Sequence, residues 1–127
     1  MSHSFPTRRS SDLVFSLDGR AIVTCSADRT AKLWDATTGK LLQTFTGHTD
    51  EVMTVAFSPN GQKFATGAAD CTIKIWDIER GMVDRTLTGH LDRVLSISYS
   101  PDSQYLVSGS ADETFKLWDL TDRKSVV

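Results

Sequence analysis

The sequence has no apolar run near the ~20 residues that a membrane-crossing helix needs, which excludes a helical span. Cysteine is scarce: Cys25 and Cys71 form no C-x-x-C pair and no metal-ligand spacing. They read as reduced thiols of an intracellular protein, cytoplasmic or nuclear, rather than as a disulfide. An excess of basic charge is also missing, since the net charge is −2, and no basic stripe or aromatic stacking set suits nucleic acid. No glycine-rich phosphate loop, metal-ligand cluster or exposed pair of carboxylates stands out, so neither cofactor nor metal is implied. Asp50-Glu51 and Asp92-Arg93 read as solvated loop charges. Residues 1–13 lack the apolar centre of a secretory signal. At 127 residues, what remains is one small soluble domain.

What the chain has is a repeat. Trp34, Trp76 and Trp118 stand 42 residues apart, and each is followed by aspartate. Gly47-His48 returns as Gly89-His90. Ser16-Leu17-Asp18-Gly19 returns as Ser58-Pro59-Asn60-Gly61 and as Ser100-Pro101-Asp102-Ser103. Asp28, Asp70 and Asp112 each stand two residues before a threonine. A fixed period of this length marks a repeat architecture.

Within one period the apolar residues alternate as strands do. Residues 52–57 are β-branched and partly alternating, then Ser58-Pro59-Asn60-Gly61 supplies turn chemistry. Residues 63–67 read as a second strand stopped by Ala69-Asp70, residues 72–76 as a third, and residues 82–87 as a fourth, more polar one. Four short antiparallel strands in ~40 residues is the arithmetic of a propeller blade. The expected fold is therefore all-β, with antiparallel four-stranded blades of an incomplete β-propeller.

Gly-His, Ser-Pro-Asn-Gly, Ala-Asp-x-Thr and Ile-Trp-Asp together resemble the WD-repeat β-propeller family over roughly residues 14–120. The resemblance implies that each sequence repeat is offset from its blade, beginning with the outer strand of one and finishing the inner three of the next. It divides the chain into a partial first repeat at 14–46, a second at 47–88 and a truncated third at 89–121. The tails fall outside the period. Residues 3–13 resemble the translation of a sequencing-library adapter, and residues 122–127 that of the same oligonucleotide read in reverse. Both tails, 1–13 and 122–127, are accordingly expected to be non-native, the first of them disordered.

His48, Thr66, Asp70 and Trp76 invite comparison with a nucleophilic triad. The set recurs as His90, Ser108, Asp112 and Trp118. An active site has no reason to be rebuilt every 42 residues, whereas a structural bond must be. The family resemblance implies a buried network in which indole bonds hydroxyl, hydroxyl bonds imidazole and imidazole bonds carboxylate. The first repeat keeps Thr24, Asp28 and Trp34, but Pro6 stands where the histidine is due. No catalytic residue is assigned, and the chain reads as no enzyme.

Function follows from the resemblance alone, because fold does not fix it. It implies a protein–protein interaction platform, a scaffold or adaptor in a multiprotein complex, here as a fragment. Partners are proteins or peptides, not nucleic acid, membrane or a small-molecule substrate. The family's contact positions fall on Glu51, Met53 and Ala69 in one repeat and on Arg93, Leu95 and Ala111 in the next, with Ala27 surviving from the first. Alanine offers little chemistry, which leaves Glu51, Met53, Arg93 and Leu95. Two alternatives remain. One is a propeller regulating an enzyme domain of the parent. The other is a ubiquitin-ligase substrate receptor, although the arginine such receptors carry two residues past the Trp-Asp pair is Thr37, Glu79 and Thr121 here.

Overall fold

Ser58-Pro59-Asn60-Gly61 closes a hairpin in the way its composition requires. The Gly61 amide donates to the Ser58 carbonyl at 2.9 Å, and Gly61 takes the positive φ of 76° that ends such a turn. The Ser58 hydroxyl bonds the Asn60 side chain at 2.6 Å, fixing the loop from inside. Ser16 and Ser100 open the same turn one period to either side.

The computed structural model describes residues 13–121. They form eleven strands: β1 (Leu13–Phe15), β2 (Ala21–Cys25), β3 (Thr30–Asp35), β4 (Leu41–Thr46), β5 (Val52–Phe57), β6 (Lys63–Ala68), β7 (Ile73–Asp77), β8 (Met82–Leu87), β9 (Val94–Tyr99), β10 (Tyr105–Ser110) and β11 (Phe115–Asp119). Every pairing is antiparallel between chain neighbours. They make sheets β1-β2-β3-β4, β5-β6-β7-β8 and β9-β10-β11. These are the all-β blades of a partial propeller.

Three strand boundaries of the middle repeat differ from the sequence reading by one residue, the third strand also ending at Asp77 rather than at residue 76. The third strand of the middle repeat starts at Ile73 rather than at residue 72, because the Thr72 amide and hydroxyl both turn back onto Asp70. The second runs on to Ala68. Leu13, assigned from sequence to the tail, pairs with Thr24 as the first residue of β1. The remaining tail residues, 1–12 and 122–127, and with them Pro6, lie outside the described residues.

Each pair of adjacent sheets shares a core. The first joins Val23, Leu33 and Phe45 to Val55, Phe64 and Trp76. The second joins Ala65, Ile73 and Ile75 to Val94, Leu106 and Trp118. Strand alternation explains how the middle sheet serves both: Phe64 faces one neighbour and Ala65 the other. Phe45 meets the Phe64 ring edge-on at 4.9 Å, and the Phe45–Trp76 centroids lie 5.6 Å apart. Such pairs add about 0.5–1.5 kcal/mol each beyond the area they bury. Gly67 lets the third sheet approach, since a Cβ there would stand 2.6 Å from Val94 Cγ1.

Candidate functional site

His48 follows Gly47 in the loop between β4 and β5, and Asp70 stands in the turn between β6 and β7. Thr66 lies on β6, two residues beyond Phe64, which pairs with Trp76 on β7. Thr66 and Trp76 therefore share a face of the sheet. The Trp76 Nε1–H donates to Thr66 Oγ1 at 2.8 Å. Thr66 Oγ1 lies 2.6 Å from His48 Nε2, and His48 Nδ1 lies 2.9 Å from Asp70 Oδ2.

The indole N–H can only donate and the ionised Asp70 carboxylate can only accept, so in the neutral ring Nδ1 carries the proton and Nε2 is the acceptor. The Thr66 hydroxyl receives from Trp76 and passes its own proton to His48 Nε2. His48 Nδ1–H then donates to the carboxylate of Asp70. Asp70 also accepts from the Thr49 amide at 3.0 Å and the Thr72 hydroxyl at 2.6 Å. The imidazole satisfies this arrangement only when neutral. Burial holds His48 below the ordinary histidine pKa, although Asp70 pulls the other way. For Asp70, burial alone would raise the pKa. The bonds from Thr72, His48 and Thr49 outweigh it and hold the carboxyl at about 2.

The third sheet repeats the set. The Trp118 indole donates to Ser108 Oγ at 2.8 Å, Ser108 Oγ lies 2.7 Å from His90 Nε2, and His90 Nδ1 lies 3.0 Å from Asp112 Oδ2. Bonds from the Thr114 hydroxyl and the Leu91 amide hold Asp112 well below the usual carboxylate range. In the first sheet the Trp34 indole donates to Thr24 Oγ1 at 2.9 Å. Asp28 Oδ2, the atom corresponding to the histidine acceptor, receives the Lys32 ammonium at 3.0 Å instead. The Thr30 hydroxyl is the main reason that Asp28 sits at about 2.

Hydroxyl, imidazole and carboxylate thus stand in the order of a hydrolase triad. Thr66 and Ser108 are fully buried, and each oxygen already accepts from an indole, so neither hydroxyl faces a substrate. Among the described residues no group of three or more His, Cys, Asp or Glu side chains is placed to hold a metal. No helix among the described residues is long and apolar enough to cross a membrane.

The family model for "WD domain, G-beta repeat" matches residues 3–35, 39–77 and 81–119. The chain belongs to the WD-repeat family. The match at 39–77 opens ahead of β4, the outer strand of the first sheet, and closes with β7 of the second. Sequence repeat and sheet are therefore offset by one strand. The chain is similar to WD repeat domain-containing protein 83 of Homo sapiens, 45% identical over 42 residues, which is 33% of this chain and 13% of that protein. It is also similar to the proteins of that name from Xenopus laevis and Danio rerio, at 43% over 42 residues and 44% over 39. These stretches span 33% and 31% of this chain, and 13% and 12% of those relatives. The alignments span about an eighth of the curated relatives' length. WD-repeat proteins are in general interaction scaffolds rather than enzymes.

The surface positions named from sequence fall near the histidine loops. The Ala69 amide donates to the Glu51 carbonyl at 2.8 Å, and the Ala111 amide to that of Arg93 at 2.9 Å. Loop and aspartate turn are thereby tied together at one end of each sheet. Ala27 lies exposed in the corresponding turn of the first sheet. Arg93 is exposed, and Glu51 is half-buried. Met53 does not belong with them: it is 6% exposed, on a strand packed between the first and third sheets. Its counterpart Leu95, with no sheet beyond it among the described residues, is 42% exposed. The sequence reading also passed over Thr72 and Thr114 as network members. Their fixed place two residues after each aspartate was the available signal.

Proposed function

We propose that the chain is part of a larger WD propeller that docks proteins or peptides at the histidine-loop end, through Glu51 and Arg93. The observation that carries this reading is the backbone pairing of Glu51 with Ala69 and Arg93 with Ala111. It sets a carboxylate and a guanidinium one period apart on rigid loops at the same end of adjacent sheets. Rigid placement matters because binding then loses little free energy to loop ordering. Opposite charges at neighbouring positions favour partners of complementary pattern. In this role the His–Asp network is structural: it pins the loop that carries each contact.

The larger ring is supported by exposure. Phe115 and Leu117 on β11 are 80% and 40% exposed, whereas their period mates Ile73 and Ile75 are 0% and 2% exposed. Positions that are core where a sheet has two neighbours stand open where it has one. The charge reversal Glu51→Arg with Arg93→Glu, made in the full-length propeller, tests the docking reading. It is expected to reduce partner co-purification several-fold while melting and circular dichroism stay unchanged. Undiminished recovery would remove these residues from the interface.

A further inference from the structure

Asn60 is the only asparagine of the chain, and Gly61 follows it. The pair lies in the turn between β5 and β6, at the end of the sheet opposite His48. Asn60 is exposed. Its Oδ1 accepts the Ser58 hydroxyl at 2.6 Å and the Gln62 amide at 3.0 Å. A backbone N–H can only donate, so the oxygen faces into the turn and Nδ2 is the remaining atom. Nδ2 hydrogen-bonds to none of the described residues.

The periods on either side carry aspartate at this position. Asp18 Oδ1 accepts the Ser16 hydroxyl at 2.6 Å and the Arg20 amide at 3.0 Å. Asp102 Oδ1 accepts the Ser100 hydroxyl at 2.6 Å and the Gln104 amide at 3.0 Å. All three turns thus use one side-chain oxygen in the same way. Whether the other atom is nitrogen or oxygen makes no difference to the bonds that close them.

Asparagine is a thermolabile residue, and a following glycine leaves the attacking nitrogen uncrowded. A Cβ at Gly61 would meet nothing within 4 Å, so the surroundings do not crowd it either. We propose that Asn60 is a site of spontaneous deamidation, whose aspartate product the turn accepts and whose isoaspartate product it rejects. The Gly61 nitrogen, deprotonated by hydroxide, attacks Asn60 Cγ and closes a succinimide ring. The Cγ–Nδ2 bond breaks, and the leaving amine regains the proton through water and departs as ammonia. A second water then opens the ring. Cleavage of the new nitrogen–Cγ bond leaves aspartate on an unchanged main chain. Cleavage between the residue 60 main-chain carbonyl and the Gly61 nitrogen instead routes the main chain through Cγ, which lengthens it by an atom. In the closed turn the Gly61 N–H is donated to the Ser58 carbonyl at 2.9 Å, so reaction waits for local opening. The aspartate form recloses with the bonds that Asp18 and Asp102 make. The longer chain moves the Gly61 and Gln62 amides away from the groups they bond. The site is separate from the histidine-loop end and does not depend on it.

The test ages the full-length propeller in mildly alkaline buffer, native and in urea, and follows the peptide containing residue 60 by mass spectrometry. The acid form is expected to accumulate in both samples, at least tenfold more slowly in the native one. Asn60→Gln, whose amide lies one methylene further from the Gly61 nitrogen, is expected to slow the conversion at least tenfold. Asn60→Asp is expected to leave the melting midpoint unchanged. The isoaspartate fraction, identified by methyltransferase labelling and separated by chromatography, is expected to melt lower. No acid form at residue 60 in the native protein, or equal rates in the native and unfolded samples, would overturn the proposal. So would undiminished conversion in Asn60→Gln, or an Asn60→Asp midpoint as low as that of the isoaspartate fraction.

Discussion

His48 Nδ1 lies 2.9 Å from Asp70 Oδ2, and His90 Nδ1 lies 3.0 Å from Asp112 Oδ2 one period along. In both pairs the imidazole is buried and its second nitrogen meets a buried hydroxyl that an indole also bonds. Near-identical distances in the second and third sheets fit a joint that is repeated with the sheet. Catalysis would need only one.

Removing the acceptor should therefore cost stability. Asp70→Ala leaves the His48 Nδ1–H and the Thr49 amide without their carboxylate. The expected loss is about 1–3 kcal/mol, the range for stranding a buried polar group. Denaturant titration of the full-length propeller reads it directly. An esterase or peptidase activity abolished by Thr66→Ala with stability intact would contradict the structural role.

The same joint gives a pH dependence whose sign is fixed. His48 is held neutral by burial, so below about 6.5, the ordinary histidine value, the unfolded chain binds a proton that the native state refuses. Stability therefore falls as pH drops through that value. Asp70 adds a second loss, beginning near 3.8 and continuing towards about 2. Urea midpoints between pH 7 and pH 5 should decline, and less so in His48→Gln. Midpoints that rise on acidification would exclude a neutral His48.

Much of this was readable beforehand because it is local. Turn chemistry at Ser58–Gly61 and alternation over β5 follow from neighbouring residues, and the tryptophan period from a fixed spacing along the chain. Those cues give the blades and their strands to within a residue. The His48–Thr66–Trp76 grouping came from its recurrence and the family resemblance. What escaped depends on packing between sheets. Met53 reads as a surface contact until the flanking sheets bury it. The Lys63–Asp84 ion pair likewise joins residues 21 apart that only the strand pairing brings together.

Close approach at Gly67 makes a further expectation. A methyl group there would press on Val94 Cγ1 at 2.6 Å and Thr54 Cγ2 at 2.9 Å. Gly67→Ala should destabilise by about 1–3 kcal/mol through overpacking. Val94→Ala in the same chain should restore part of that loss, and a double-mutant cycle showing strict additivity would deny the contact.

Backbone strain offers a gain instead. Glu113 is exposed and holds a φ of 70°, in the left-handed region that glycine enters freely. Glu113→Gly relieves ~1–2 kcal/mol of steric cost against ~0.5–1 kcal/mol of added chain entropy, so a small net stabilisation is expected. Thermal melting measures it, and a lowered midpoint would speak against strain at this turn.

The central claim, that these sheets belong to a larger ring, turns on the open face of the third sheet. β11 pairs only with β10 among the described strands and presents Phe115 and Leu117 to solvent. Such an edge recruits other chains. Sedimentation velocity of the 127-residue chain alone should show concentration-dependent association, reduced by Phe115→Lys with Leu117→Lys. A monomer at all concentrations, with a sharp and reversible melt, would contradict the account.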